Sequence, residues 1–339
     1  METLSQSIRS NPAKFFSFLS SFTKVNPELS PLLKYQGWIS GDSHPGQWSF
    51  VPNEGKFIYT MIDFDMAGKG PLLLDFMQYT LNIEAIIQQS PKSENKIRIK
   101  ELLDAYLQGL RGGRPTPPEW ASKILQKDDV SFLKKEQKYY RNKVTLENKL
   151  EVDQDFERLS DTSLTQEISF NLNSLGYFRN YDVVDVVQKK IERGGSAGQK
   201  RYWVLVREHS NASIIRIFEL KEKQTGFLPE AQSSTEAMYS IFWGNSHPAY
   251  AELRLRNQDF EIRPKKVSLD EADIPYKLKK DSDWQYLKEK ALYDLSLLGK
   301  AQSSQQGAAE LATMIGNNYD QVAKLTKLFS QQYLSTLQK

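Results

Sequence analysis

The chain has 339 residues, of which 39% are hydrophobic and 26% are charged, and its formal net charge is +3. This near-neutral balance argues against a dedicated nucleic-acid-binding surface, which is normally strongly basic. The sequence contains no cysteine, which excludes disulfides, thiolate nucleophiles and cysteine-based zinc sites. The N-terminus lacks the apolar core of a signal peptide, and no stretch approaches the ~18 apolar residues of a membrane span. We therefore expect a soluble, cytoplasmic protein that binds neither membrane nor nucleic acid, and its length predicts two lobes.

The first predicted element is an amphipathic helix over residues 11–22. Asn11 suits its N-cap and Pro12 suits its first turn. Apolar side chains then recur at three- and four-residue spacings and form one face: Phe15, Phe18, Leu19 and Phe22. This pattern is typical of a helix that packs against a core.

A polar, turn-rich loop over residues 41–47 follows. It leads into a predicted β-hairpin with strands over 47–51 and 56–62, joined by a turn at 52–55. The second strand runs into the acidic tripeptide 63–65. This stretch carries most of the residues with catalytic potential.

The remaining pattern indicates an α+β fold of two lobes. Helices are predicted over 72–87, 97–110, 119–125, 130–143, 235–242, 284–298 and 308–337, and strands over 183–187, 202–207, 214–220 and 260–262. The acidic segment 151–161 is predicted to be a linker, and 194–198 a glycine-rich turn. We expect a helical catalytic lobe over 1–181, a small antiparallel β lobe over 182–276, and C-terminal helices over 277–339 that return to the large lobe.

The two outer ends of a hairpin are neighbours, so Asp42 and Asp63 should lie close together, with Gln47 on the same side. Two carboxylates and an amide suit phosphoryl transfer: Asp42 as the base for a hydroxyl, and Asp63 with Gln47 as oxygen ligands of Mg²⁺. Asp65 is either a second metal ligand or a turn-stabilising residue. His44 is either a further catalytic residue or a structural hydrogen-bonding residue of the loop.

The second half of the chain offers groups that suit a nucleotide. Gly195, Ser196 and Gly198 lie in a turn whose backbone N–H groups are predicted to cover phosphates. Lys221 ends a later strand and is predicted to pair with phosphates, and Glu236 on the next helix is predicted to hold it by an ion pair. Adenine is expected near residues 262–264.

Two motifs in the first half resemble the aminoglycoside-phosphotransferase branch of the kinase-like superfamily. Residues 41–47 read Gly-Asp-Ser-His-Pro-Gly-Gln, similar to the Gly-Asp-x-His-Pro-x-Asn loop of those proteins. Residues 62–68 read Ile-Asp-Phe-Asp-Met-Ala-Gly, similar to their Ile-Asp-x-x-x-Ala/Gly pattern. The resemblance implies that Asp75, in Leu-Asp-Phe, buttresses the catalytic loop.

The whole chain from about residue 11 resembles the bacterial domain-of-unknown-function 2252 family. The matching stretches are 41–47, Asp-Phe-Asp at 63–65, Val-Val-Asp-Val at 183–186, Gly-Ser-Ala-Gly at 195–198 and Leu-Lys-Glu at 220–222. The resemblance implies a kinase-like fold that is circularly permuted, because the catalytic loop precedes the glycine turn and the lysine. Gln47 stands where that family has Asn.

We therefore expect a phosphotransferase that uses ATP and Mg²⁺ on the hydroxyl of an unidentified small molecule or protein. One alternative is a catalytically degenerate kinase-like scaffold that binds a nucleotide or a partner. Others are an AMP transferase on the same fold and a glycosyltransferase that uses Asp63-Phe64-Asp65 as an Asp-x-Asp motif. The sequence leaves the acceptor and the oligomeric state open.

Overall fold

A computed structural model describes residues 3–90, 97–190, 198–223, 227–230, 234–244, 249–265, 278 and 280–338. The fold is mixed, with 52% helix and 21% strand, and its sheets are antiparallel. The α+β class predicted from the sequence is therefore correct.

The helices of the described residues lie before, between and after the strands of the larger sheet in the chain. They are α1 (Leu4–Arg9), α2 (Pro12–Val25), α3 (Leu73–Gln88), α4 (Ile99–Leu110), α5 (Glu119–Leu125), α6 (Val130–Arg141), α7 (Thr162–Ser174), α8 (Ser234–Trp243), α9 (Asp281–Gln302), α10 (Ala308–Asn317) and α11 (Tyr319–Leu337). The Asn11 side chain caps α2 by accepting a hydrogen bond from the Lys14 amide, and Pro12 opens the helix, as predicted. No helix in the described part of the chain combines the length and apolar content needed to cross a bilayer.

The strands form two hairpin-sized pairs and one larger sheet. They are β1 (Gln36–Ile39), β2 (Trp48–Asn53), β3 (Lys56–Met61), β4 (Gly68–Pro71), β5 (Phe156–Arg158), β6 (Tyr181–Lys189), β7 (Arg201–Glu208), β8 (Ile215–Glu222), β9 (Ala251–Leu255) and β10 (Gln258–Pro264). The predicted hairpin is present as β2–β3. Its turn is only Glu54-Gly55, both with positive φ (50° and 84°), which is the geometry that tight hairpins favour.

The large sheet has the antiparallel order β5-β6-β7-β8-β10-β9. Successive side chains along a strand point to opposite faces. One face is apolar and packs on α7, through residues such as Phe218, Leu220 and Ile262. The opposite face is apolar only at one end, around Trp203 and Ile217, and is charged at the other end. The charged end faces the tripeptide 63–65.

The structure contains elements that were not predicted and divides one predicted helix. Helix α1 and the strand pair β1–β4 are among the additional elements. The segment 151–161, predicted to be a linker, contains strand β5, because the Phe156 ring buries against Trp203 at a centroid distance of 4.3 Å. The sheet therefore begins well before residue 182. Helix α7 and strand β9 are additional elements, and the predicted helix 308–337 is two helices that meet at Asn318.

The helices of the first half and of the C-terminus share one core. Helix α9 lies so close to α4 that a Cβ on Gly109 would stand 2.0 Å from the Ser296 carbonyl oxygen. A Cβ on Gly299 would likewise stand 2.2 Å from the Tyr106 carbonyl oxygen. Glycine at both positions is what allows the two backbones to touch. This contact and that of α11 with α3 join the end of the chain to the helices that pack beside the loop at residues 41–47.

Candidate functional site

Helix α3 holds the loop that begins at Ser40. Asp75, on its first turn, accepts hydrogen bonds from the Ser40 amide at 2.9 Å, the Ser40 hydroxyl at 2.9 Å and the Gly41 amide at 3.2 Å. This is the buttressing role predicted for Asp75. Burial raises the pKa of Asp75 to about 6, although these hydrogen bonds act in the opposite direction. Gln78 adds a second anchor by donating to the Gly41 carbonyl at 2.6 Å and accepting from the Ser43 amide at 3.3 Å.

Asp42 projects from this loop with its side chain 19% exposed. Arg9 Nε and His44 Nε2 each lie 3.7 Å from Asp42 Oδ2. Burial raises the pKa of Asp42 to about 7; Arg9 opposes the rise, and the charges of Asp65 and Asp63 add to it. A carboxyl with such a pKa changes its charge near neutral pH. Arg9, at the end of α1, was not predicted, because nothing in its local sequence points to the loop.

His44 is buried, and its Nδ1 accepts a hydrogen bond from the Gly46 amide at 3.0 Å. In the neutral imidazole the proton therefore resides on Nε2, the atom that faces Asp42. Burial, followed by the charge of Arg9, holds the pKa of His44 well below its ordinary value. His44 therefore hydrogen-bonds within the loop, and a catalytic role for it stays a prediction.

The hairpin end and the large sheet meet at an ion cluster. Lys221 Nζ lies 2.9 and 3.1 Å from the two carboxylate oxygens of Asp63 and 2.8 Å from Asp65 Oδ2. The lysine side chain is only 3% exposed, whereas that of Asp63 is 24% exposed. The structure therefore brings together three of the predicted residues, one of them 158 positions away in the sequence.

Arg263, on the neighbouring strand β10, also reaches this cluster. Its Nη1 lies 3.2 Å from Asp63 Oδ1, and its Nη2 lies 2.8 Å from Glu219. Desolvation alone would raise the pKa of Asp63, but Lys221 and Arg263 hold it well below its ordinary range. Both Asp63 oxygens are therefore paired with cations. Arg263 was not predicted to reach Asp63, because the two residues are distant in the sequence. The segment around Arg263 was expected to lie near adenine.

The charged face continues around Glu219, which is fully buried on β8. Besides Arg263, its carboxylate has Lys265 at 3.4 Å, Arg201 at 3.8 Å and the Trp203 indole N–H at 3.2 Å. Burial would raise the pKa of Glu219, but the three cations hold it well below its ordinary value. This face thus concentrates basic groups beside Lys221.

Glu261 lies beside Lys221 in the sheet, since the two are register partners on β10 and β8. It is fully buried, accepts a hydrogen bond from Tyr239 at 2.9 Å, and burial raises its pKa to about 7. Glu236, predicted to pair with Lys221, is instead exposed on α8. Met238 and Tyr239 form the buried face of that helix, and Glu236 lies off that face. The predicted Glu236–Lys221 ion pair is therefore absent from this structure.

Gln47 is buried at the start of the hairpin. Its amide nitrogen donates to the Asp63 carbonyl at 3.3 Å, while its Oε1 atom is buried and has no hydrogen-bond donor among the described residues. With the carboxylates of Asp63 and Asp65, this oxygen makes a set of hard ligands that fits Mg²⁺ in chemical type. The described residues hold no group of three or more His, Asp or Glu side chains arranged for a metal.

The glycine turn is only partly described. Gly195 and Ser196 lie outside the described residues, and Gly198 has a positive φ of 80°. The next residue, Gln199, donates to Asp65 Oδ2 at 3.4 Å and to the Glu222 carbonyl at 3.3 Å. The end of the predicted phosphate-binding turn therefore contacts the ion cluster. Of residues 262–264, expected near adenine, Ile262 pairs with both β8 and β9, whereas Arg263 and Pro264 pair with β8 alone.

No protein-family model, curated protein or solved structure matches the chain.

Proposed function

We propose that this chain is an ATP- and Mg²⁺-dependent phosphotransferase with a kinase-like, circularly permuted fold, acting on a hydroxyl acceptor. The observation that carries the proposal is the convergence of Lys221 with Asp63 and Asp65, close to Asp42. Phosphoryl transfer needs a cation on the phosphates, oxygen ligands for Mg²⁺ and a group that accepts the hydroxyl proton. These residues supply all three.

The order of elements around Lys221 supports the proposal. In protein kinases a glycine-rich loop precedes a strand that bears the phosphate-binding lysine, and a helix follows. Here β6 and β7 flank the glycine turn, β8 bears Lys221, and α8 follows it. The catalytic loop and hairpin come earlier in the chain, which is the permuted order.

Each residue has a distinct task in this proposal. Asp42 accepts the proton of the acceptor hydroxyl, and Arg9 places a positive charge 3.7 Å from its carboxylate. Asp63, Asp65 and Gln47 hold Mg²⁺, which supplies charge neutralisation on the phosphates. Lys221 pairs with phosphate oxygens, and Arg263 keeps Asp63 ionised.

A second candidate is a scaffold that binds the nucleotide without transferring phosphate. It is favoured by the saturation of Asp63, whose oxygens are already paired with Lys221 and Arg263.

The binding test is calorimetric titration of the wild-type protein and of Asp63→Asn with Mg-ATP. We expect saturable binding that weakens at least ~10-fold in Asp63→Asn, because a metal ligand is lost. Asp320→Asn is the matched control, since Asp320 lies exposed on α11. Absence of binding by the wild-type protein would refute both candidates.

The transfer test uses ATP labelled at the γ- or the α-phosphate, with the protein itself and a panel of hydroxyl compounds as acceptors. Transfer of the γ-label that is abolished by Asp42→Asn supports the phosphotransferase. Transfer of the α-label identifies AMP transfer instead. Tight binding without transfer of either label identifies the scaffold.

A further inference from the structure

A cavity of about 190 Å³ is lined by residues outside the ion cluster. It is enclosed by the tip of the β2–β3 hairpin, helix α6, the C-terminal end of α8 and the end of β10. Aromatic side chains form much of its wall: Phe132, Tyr177, Trp243 and Tyr250. None of the residues assigned to phosphoryl transfer lines it.

Asp129 lines this cavity and is 9% exposed. Both backbone hydrogen-bonding groups of Asp129 have partners. Its amide donates to the Gly55 carbonyl at 3.3 Å, and its carbonyl accepts from the Phe132 amide at 2.9 Å. Its carboxylate, by contrast, has no hydrogen bond or ion pair with any described residue, and it does not cap α6. Asp129 lines the cavity, and its oxygens are not among the fully buried polar atoms of the described residues, so the carboxylate is accessible to a ligand in the cavity.

Arg216, a basic residue in the cavity wall, is paired with Glu136 rather than with Asp129. Arg216 Nη1 lies 3.7 Å from Glu136 Oε1, which also accepts a hydrogen bond from the Tyr140 hydroxyl at 3.1 Å. Glu136 is therefore satisfied by protein groups and Asp129 is not. The residual charge of the Asp129–Glu136–Arg216 set is negative, which selects a cationic ligand.

The residues that line the cavity also indicate which kind of cation fits. Divalent metals need several oxygen ligands, and no group of three or more His, Asp or Glu suited to a metal occurs in the described chain. Aromatic faces attract organic cations instead, and Trp243 and Tyr250 stand together here with a centroid distance of 4.9 Å. A cavity of 190 Å³ slightly exceeds the ~150 Å³ apolar cavity that accommodates benzene, so the ligand is small.

We propose that this cavity is a binding site for a small organic ammonium ion, with Asp129 as its counter-charge and the aromatic side chains as its walls. The site is independent of the phosphotransferase proposal, because it shares no residue with the ion cluster. It would hold the tip of the hairpin, α6 and α8 together when occupied.

The test is calorimetric titration of the full chain with choline and with 3,3-dimethylbutan-1-ol, which has the same shape without the charge. We expect saturable choline binding and at least ~10-fold weaker binding of the alcohol, because charge and cation–π attraction are both lost. Asp129→Asn should weaken choline binding by a similar factor.

Asp128→Asn is the matched control, because Asp128 is the exposed neighbour whose carboxylate bonds only to the Val130 amide. It should leave choline affinity unchanged. A cooperative thermal transition close to that of the wild-type protein shows that Asp129→Asn folds. No choline binding by the wild-type protein, equal binding of the alcohol, or unchanged affinity in Asp129→Asn would each overturn the proposal.

Discussion

Replacing Lys221 with methionine tests the ion cluster directly. Methionine keeps the unbranched shape and the apolar stem of lysine, so the packing of β8 is preserved, but the ammonium group that joins Asp63 to Asp65 is lost. Asp63 keeps Arg263 at 3.2 Å, whereas Asp65 keeps only the amide hydrogen bond of Gln199 at 3.4 Å. The variant therefore leaves a buried carboxylate without a cation next to another carboxylate.

The expected cost follows from burial. Removing one partner of a buried ion pair typically costs about 3–5 kcal/mol. Because Asp63 is 24% exposed and keeps Arg263, we expect the lower end, a loss of about 3 kcal/mol in the free energy of unfolding near neutral pH.

The pH dependence has a definite sign. Lys221 holds the pKa of Asp63 well below its ordinary value, so this stabilisation is fully present above the unfolded-state pKa of about 3.9. It is lost as the pH falls through the lower folded-state pKa. The difference in stability between the wild-type protein and Lys221→Met should therefore be largest near neutral pH and should shrink below about pH 4.

The assay is urea unfolding followed by circular dichroism, at neutral and acidic pH, with and without MgCl₂. Mg²⁺ should stabilise Lys221→Met more than the wild-type protein, because the freed carboxylates then bind the metal without displacing a lysine. Lys200→Met is the control, since Lys200 is exposed and its ammonium bonds only to Gln258; its stability should stay within about 0.5 kcal/mol of the wild-type value.

Two results would refute this reasoning. Wild-type stability in Lys221→Met would show that the cluster contributes nothing to the fold. A stability difference that stays constant from neutral to acidic pH would show that the loss comes from packing rather than from the carboxylates.

Three further predictions concern the surroundings of the site. Asp75→Asn should lower the free energy of unfolding by about 2 kcal/mol, because its amide N–H₂ group would face N–H donors of the loop. The folded-state pKa of Asp75 is raised to about 6, so wild-type stability should decline as the pH rises from about 4 to 6, and Asp75→Asn should abolish that decline. Urea unfolding measures both effects. Gly109→Ala should cost about 3 kcal/mol by forcing α4 away from α9, whereas Gly176→Ala, with open space around its Cβ, should be nearly neutral in thermal unfolding. Arg9→Gln should shift the pH–rate profile of phosphate transfer to higher pH, because Arg9 lowers the pKa of Asp42 and the ionised carboxylate is the base.

Local features of this fold were predictable from the sequence. The hairpin β2–β3 follows from alternating strand residues around a glycine turn, and the support of the loop by Asp75 follows from the motif that contains it. The strand that bears Lys221 was also predicted, because β-branched and aromatic residues mark it.

The features that were missed depend on contacts between distant elements. Arg9 and Arg263 reach the site from α1 and β10, and the sequence around each residue does not indicate these contacts. The error at Glu236 is different, because the burial of Met238 and Tyr239 defines a helical face from which Glu236 is excluded. That periodicity is visible in the sequence and argues against the pairing drawn from kinases.

The 158-residue separation between Asp63 and Lys221 has a consequence for the newly made chain. At typical synthesis rates of about 5–20 residues per second, the hairpin leaves the ribosome about 8–30 s before the lysine does. During that interval Asp63 and Asp65 have no ammonium partner, and the closing of such a long loop follows the formation of local structure. A prematurely terminated product that contains only the loop and the hairpin would therefore lack the ion cluster, which forms only in polypeptides that have been translated through the large sheet.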